Sequence, residues 1–68
     1  MDREETKKLA MQIKADMPDC KVIGVLRFGE NDFALEVHDS QDNDKFTVLN
    51  QKDWVVQMLK KKKARGLA

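Results

Sequence analysis

Apolar residues occur along the chain with two different spacings, and the first of these predicts a helix near the N-terminus. From Leu9 to Met17 they recur every three or four positions, which places them on one helix face. Asp2 followed by Glu5 is a weak helix-capping pair, and Pro18 disfavours a helical conformation at Met17. The pattern therefore predicts an amphipathic helix of about fourteen residues that ends just before Pro18.

The middle of the chain alternates between apolar and polar positions and predicts three β-strands. The strands cover residues 21–28, 33–38 and 45–49, and the polar segments G-E-N-D and S-Q-D-N-D between them have the composition of turns. Pairing Phe28 with Phe33 brings the strongest apolar residues of the first two strands onto one face, which is the condition that selects an antiparallel register. The core-facing residues in that register are Val22, Gly24, Leu26, Phe28, Phe33, Leu35 and Val37.

The stretch F-T-V-L-N-Q-K-D-W-V-V-Q-M-L, residues 46–59, predicts a short strand that runs directly into a second helix. Asn50 is a preferred N-cap residue whose side chain can accept a hydrogen bond from the amide of Asp53. The second helix is therefore expected to begin at about Gln51.

The order of these elements is helix, three strands, helix, which predicts an α+β fold. Such an α-β-β-β-α chain, with a three-stranded antiparallel meander, forms a two-layer sandwich when both helices cover one face of the sheet. We expect residues 1–66 to form a single small domain and residues 60–68 to form a basic C-terminal helix end and tail. The uncovered sheet face would be too apolar for an ordinary solvated surface. Its residues would be Ile23, Val25, Ala34 and Thr47 beside Arg27, Glu36 and His38.

Charge is distributed unevenly along the 68 residues, although the formal net charge is only +1. Residues 1–59 contain eight basic and twelve acidic residues, a net charge of −4, and the remaining basic residues are Lys60–Lys63 and Arg65. Successive helical residues are about 100 degrees apart, so Lys60–Lys63 would point to all sides and project past the core. The lysine run either provides solubility and a favourable interaction with the helix C-terminus, or makes an electrostatic contact with nucleic acid or with an acidic protein surface, such as the Glu30–Asp44 hairpin of a second copy.

Side chains that could support catalysis or metal binding are few and form no complete motif. Cys20 and His38 are the only residues of their types, and a Cys–His nucleophile pair would also need an oxyanion site, which no third group indicates. Residues 39–44 superficially resemble a calcium loop, but the positions that require Gly and Glu hold Asp44 and Asn50. The glycines occur singly, so no phosphate-binding loop is present. We therefore expect no enzyme activity, no cofactor, no metal site and no small-molecule substrate.

The single cysteine and the N-terminal segment indicate the cellular compartment of the protein. One cysteine excludes an internal disulfide and fits a reducing environment. The N-terminal segment is too charged to be a signal peptide, and no apolar run is long enough to cross a membrane. These features predict a cytoplasmic protein with no membrane partner.

The element order resembles that of the double-stranded RNA-binding domain, over the whole chain but in order only. That resemblance implies RNA binding through a lysine cluster at the start of the second helix and a Gly-Pro-x-His-like loop. This chain has Gln51–Trp54 at the helix start and the acidic loop Gly29–Asp32, so none of that family's contact residues can be carried over. Residues 46–59 are similar to the last strand and helix of the single-stranded-DNA-binding transcriptional coactivators, without the basic, aromatic sheet that binds single strands.

The pattern as a whole favours a small non-enzymatic interaction or regulatory module. It would bind a protein partner, or a second copy of itself, through the uncovered sheet face or an exposed edge strand. The residues expected to make that contact are Ile23, Val25 and Ala34. The alternative is a nucleic-acid-binding module that uses the basic C-terminal helix end. Its contact residues would be Lys60, Lys61, Lys62, Lys63 and Arg65.

Overall fold

The computed structural model of the protein describes residues 1–66, in which two helices and three strands follow one another in the predicted order. The elements are α1 (Arg3–Asp16), β1 (Cys20–Gly29), β2 (Asp32–Asp39), β3 (Asp44–Val48) and α2 (Gln51–Ala64). The strands form one antiparallel sheet in the order β1-β2-β3. The predicted α+β class and meander are therefore confirmed. Within residues 1–66, neither helix has the length and apolar composition of a membrane-spanning segment.

Both helices begin at the residues that their capping patterns predict. The Asp2 side chain accepts a hydrogen bond from the backbone N–H of Glu5 at 2.8 Å, and the Asn50 side chain accepts one from the N–H of Asp53 at 2.8 Å. Asp53 in turn accepts a hydrogen bond from the backbone N–H of Leu49 at 2.9 Å. These bonds satisfy amide groups that have no partner within the first helical turn.

The core lies between the helices and one face of the sheet, with Trp54 of α2 at its centre. Trp54 is fully buried, and its indole N–H donates a hydrogen bond of 3.0 Å to the carboxylate of Asp16 in α1. Its ring lies parallel to that of Phe46 in β3, with 6.4 Å between the ring centroids. The rest of the buried cluster consists of Leu9, Ile13, Met17, Cys20, Leu35, Val37 and Val48. Because the strand residues of this cluster share one sheet face, α1 and α2 both pack on that face.

The pairing of β1 with β2 differs from the predicted register. Arg27 lies opposite Phe33, so the predicted pair of Phe28 with Phe33 is wrong, and Val25 lies opposite Leu35. Two irregularities interrupt β1, one on each side of Val25. The physical reason is that β1 has apolar residues on both of its faces, so alternation alone cannot select the register.

The first irregularity, at Ile23, changes which residues of β1 face the helices. One extra residue in a strand moves all later side chains to the opposite face. Val25 and Arg27 consequently share the face of the buried Leu35, and their predicted placement on the uncovered face is wrong. The residues that do occupy the face without helices are Lys21, Gly24, Leu26, Ala34, Glu36, His38, Lys45 and Thr47.

Candidate functional site

The three residues predicted to bind a partner do not form one patch. Ala34 is 1% exposed and lies opposite Leu26 on the face without helices, so it offers almost no surface. Val25 is 56% exposed, but on the helix side of the sheet, and Ile23 is the half-exposed residue at the irregularity in β1. The predicted patch on the uncovered face is thus not formed, whereas Ile23 and Val25 belong to the same edge strand.

Beside Val25 the structure contains a groove between α1 and the outer edge of β1, which we call the α1–β1 groove. It consists of two open depressions with volumes of about 360 and 240 Å³. The larger depression is lined by Ala10, Lys14, Pro18, Cys20, Lys21 and Val22. The smaller depression is lined by Arg3, Thr6, Lys7, Val25 and Phe33. The helix and the sheet therefore both contribute walls to each depression.

The α1–β1 groove combines apolar walls with basic side chains. Its lining includes Arg3, Lys7 and Lys14 of α1, together with Lys21 of β1, whose side chain is on the other sheet face, and no carboxylate. Within residues 1–66, none of these four side chains takes part in an ion pair. Arg27 continues the series along the same face of β1. The groove consequently presents a positive potential to any extended chain that approaches the edge of the sheet.

The outer side of β1 is an open sheet edge. β1 pairs with β2 on one side. On its other side, no backbone hydrogen bond joins residues 21–29 to any described residue outside β1 and β2. Along this edge Ile23, Val25 and Phe28 are 50%, 56% and 63% exposed. An edge strand of this kind presents unpaired N–H and C=O groups that a further strand can bind. Edge and groove together form the arrangement that strand addition requires.

Sequence reasoning missed this groove, although helical spacing contains a signal for one of its walls. Arg3, Lys7, Ala10 and Lys14 are separated by four, three and four positions and therefore lie on one face of α1. The position of that face relative to β1 depends on the angle at which α1 packs on the sheet. That angle is set by side-chain packing between elements, which local spacing does not contain.

A second charged cluster joins α2 to the turn between β2 and β3, and we call it the acidic-turn network. The side chain of Asp39 is fully buried, with Lys61 Nζ 3.0 Å away and the Arg65 guanidinium in direct contact. Asp42 accepts from Arg65 at 2.8 Å, and Asp44 accepts from Lys61 at 3.2 Å. Burial alone would raise the pKa of Asp39, but hydrogen bonds from Lys61 and Arg65 outweigh it and lower that pKa to about 2.

The acidic-turn network corrects the expectation that the basic end of α2 projects past the core. The side chains of Lys61 and Arg65 are only 13% and 10% exposed, and Lys61 Nζ lies 4.7 Å from the ring centroid of Phe46. The acidic surface that they contact is the turn of their own chain. The three carboxylates lie within 4.8 Å of one another, and the ammonium and guanidinium groups balance two of their three negative charges. Residues 67–68 of the predicted tail lie outside the described residues.

Cys20 and His38 do not form a nucleophile pair in this structure. Cys20 lies opposite Asp39 and His38 opposite Lys21, so the two side chains are on opposite sheet faces. Cys20 is 1% exposed, and burial, with a further contribution from the Asp39 charge, raises the pKa of its thiol to about 11. His38 Nε2 lies 3.3 Å from the side-chain oxygen of Asn43. A thiol with so high a pKa has almost no nucleophilic thiolate at neutral pH.

No protein-family model matches this chain, and no curated protein or solved structure matches it either.

Proposed function

We propose that this protein is a non-enzymatic interaction module whose strand β1 binds an extended acidic segment of another protein by strand addition. The observation that supports this most strongly is the α1–β1 groove, where an open sheet edge borders two depressions whose charged residues are all basic. In strand addition, backbone hydrogen bonds provide affinity, and alternate side chains enter pockets that provide specificity. We place the module in the cytoplasm, where its unpaired, buried Cys20 would stay reduced.

Charge complementarity favours an acidic partner. Arg3, Lys7 and Lys14 border the groove, and no carboxylate belongs to its lining. Each exposed ion pair with a partner carboxylate would contribute about 0.2–1 kcal/mol, and the combined field would speed association. The apolar wall at Val25 adds about 25 cal/mol for each Å² of aliphatic surface that the partner buries. Apolar contact and charge together thus select an acidic segment with aliphatic side chains.

A second copy of the chain fits the β1 edge less well. In a two-fold dimer through β1, the groove cations Arg3, Lys7 and Lys14 of one copy would lie beside those of the other, and like charges brought together across an interface are destabilising. The irregularities at Ile23 and Phe28 also disturb the edge, and bulges of this kind disfavour edge-to-edge pairing. Self-association through β1 would therefore contradict the proposal.

Val25 provides a test with a matched control. The probe is the fluorescein-labelled peptide Glu-Thr-Val-Thr-Val-Thr-Glu, and its anisotropy is followed as protein is added. Val25→Glu removes an apolar wall of the groove and adds a carboxylate, so the affinity should fall by at least about tenfold, or 1.4 kcal/mol. Val56 is 44% exposed on α2, and Val56→Glu should leave the affinity nearly unchanged. Circular dichroism establishes that both variants are folded.

Two results would overturn the proposal. The first is that the acidic peptide does not bind, or that Val25→Glu and Val56→Glu lower its affinity equally. The second is a concentration-dependent increase in solution mass, without peptide, that Val25→Glu abolishes. That increase would assign the edge to a second copy of this chain.

A second candidate function, binding of a nucleic acid backbone, is favoured by the outer face of α2. Lys52, Lys60 and Lys63 are exposed and lie, by helical spacing, on the side of α2 opposite the buried Trp54. This surface is narrower than the predicted range Lys60–Arg65, because two of those residues belong to the acidic-turn network. The remaining lysines are positioned to contact phosphates along one side of the helix.

The double substitution Lys60→Gln and Lys63→Gln tests this candidate. The wild-type protein should retard a short DNA duplex in a gel at low salt, and its affinity should fall steeply as salt increases, because lysine contacts release counterions from the phosphates. The double variant should lose the retardation. A control variant with Lys8→Gln and Lys45→Gln removes the same number of positive charges from residues outside α2, and it should retain most of the retardation. A wild-type protein that does not retard the duplex at low salt would eliminate this candidate.

A further inference from the structure

From the register of β1 we infer which partner segments the α1–β1 groove accepts. They contain two aliphatic residues two positions apart, with a carboxylate two positions beyond each of them. This inference rests on the proposed function and adds to it the residue spacing of the partner.

The spacing follows from the irregularity at Ile23. Val22 lies opposite Val37, and Val25 lies opposite Leu35, so a three-residue step along β1 matches a two-residue step along β2. Val22 lines the larger depression and Val25 the smaller one. The two depressions are therefore separated by one pleat repeat, which is about 7 Å in a β-strand. A regular strand added to the open edge would place residues j and j+2 over them, since side chains on one face alternate.

The positions of the carboxylates follow from the cations at the two ends of the groove. The cations at the Val25 end are Arg3, Lys7 and Arg27. The cation at the Val22 end is Lys14 of α1, because the side chain of Lys21 is on the opposite sheet face. Arg27 follows Val25 on the same face of β1, opposite Phe33, so it faces position j+4 of the added strand. Position j−2 reaches Lys14 at the other end. The resulting pattern, acid-x-aliphatic-x-aliphatic-x-acid, reads the same in both directions and does not depend on strand orientation.

Two peptides of identical composition test the spacing. The first is Glu-Thr-Val-Thr-Val-Thr-Glu, in which both valines and both glutamates can face the groove. The second, Glu-Thr-Val-Thr-Thr-Val-Glu, moves the second valine to the other face of the strand, so that it points away from the groove when the first valine and both glutamates face it. The second peptide should bind about tenfold more weakly, as expected from the loss of about 1.4 kcal/mol of contact. A third peptide with threonine in place of both valines should bind at least as weakly as the second.

The outcomes separate the spacing from the proposed function. If the first two peptides bind equally and Val25→Glu weakens both, the groove binds acidic segments but the inferred spacing is wrong. If all three bind equally, the contact is purely electrostatic and the spacing is also wrong. If none binds, both the spacing and the proposed function are overturned.

A charge reversal at one end provides an independent check. Arg27 is exposed on β1, so Arg27→Glu should preserve the fold. The affinity of this variant for the peptide with glutamate at both ends should be several-fold lower than that of the wild type. Its affinity for a peptide with lysine in place of one of those glutamates should be higher than that of the wild type. Equal affinities of this variant for the two peptides would contradict the placement of Arg27 opposite a partner carboxylate.

Discussion

At Asp39, Lys61 of α2 and Arg65, which directly follows α2, meet a carboxylate that has no exposure to solvent. Asp39→Ala would leave those cations without their buried partner and should lower the free energy of unfolding by about 1–3 kcal/mol. Urea unfolding followed by the fluorescence of Trp54, the only tryptophan, measures this loss. Asp42 is 48% exposed, so the control Asp42→Ala should lose less than about 1 kcal/mol. Equal losses in the two variants would contradict a special role for the buried carboxylate.

The lowered pKa of Asp39 predicts how the free energy of unfolding depends on pH. Burial opposes ionisation of Asp39, yet hydrogen bonds from Lys61 and Arg65 lower its pKa from 3.8 to about 2 in the folded state. A pKa that folding lowers contributes stability above the ordinary pKa and loses it as pH falls through the folded value. The wild-type protein should therefore lose stability between about pH 4 and pH 2. Asp39→Asn should remove part of that loss, and an unchanged pH profile in this variant would assign the acid sensitivity to other carboxylates.

Residue-scale features divide into those that neighbouring residues determine and those that distant residues determine. The caps at Asp2 and Asn50 involve partners three positions away, and the sequence predicts both. Arg65 contacts Asp39 across 26 positions. Such a contact depends on the completed fold, so helical spacing alone led to the wrong expectation that the basic end would project freely.

The elements themselves follow from the sequence more closely than their pairing does. The helix and strand positions agree with the predicted ones because spacing, caps and turn residues are local signals. The register of β1 cannot be predicted from the sequence, because Ile23 and Val25 are as apolar as the residues on the opposite face of the strand. A single extra residue in β1 then moved Val25 from the predicted uncovered face to a wall of the α1–β1 groove.

The basic face of α1 carries its own prediction. Lys14 lines the larger depression, so Lys14→Glu should weaken binding of the peptide Glu-Thr-Val-Thr-Val-Thr-Glu by several-fold at low salt. Lys8 is another exposed lysine of α1 and lines neither depression, and Lys8→Glu changes the net charge by the same amount. Anisotropy titrations of the two variants compare a local contact with a general change of charge. Equal weakening would show that net charge, not the groove, determines affinity.

The molecule as a whole separates its charges by location. Acidic residues predominate in residues 1–59, but three of them neutralise Lys61 and Arg65 in the acidic-turn network. The α1–β1 groove, in the same acidic part of the chain, is lined by basic side chains. The order of elements predicts the fold class, whereas the groove arises only when α1, the edge of β1 and their lysines come together.

Two-dimensional amide NMR spectra of the isotope-labelled protein, recorded as the peptide Glu-Thr-Val-Thr-Val-Thr-Glu is added, locate the binding surface residue by residue. The expected result is that the largest shifts occur at residues 22–27 of β1 and at the basic face of α1. Amide protons of β1 that point away from β2 should also exchange more slowly with solvent, because strand addition gives them hydrogen-bond acceptors. Shifts confined to the sheet face of Leu26, Ala34 and Thr47, or to the outer face of α2, would contradict binding in the α1–β1 groove.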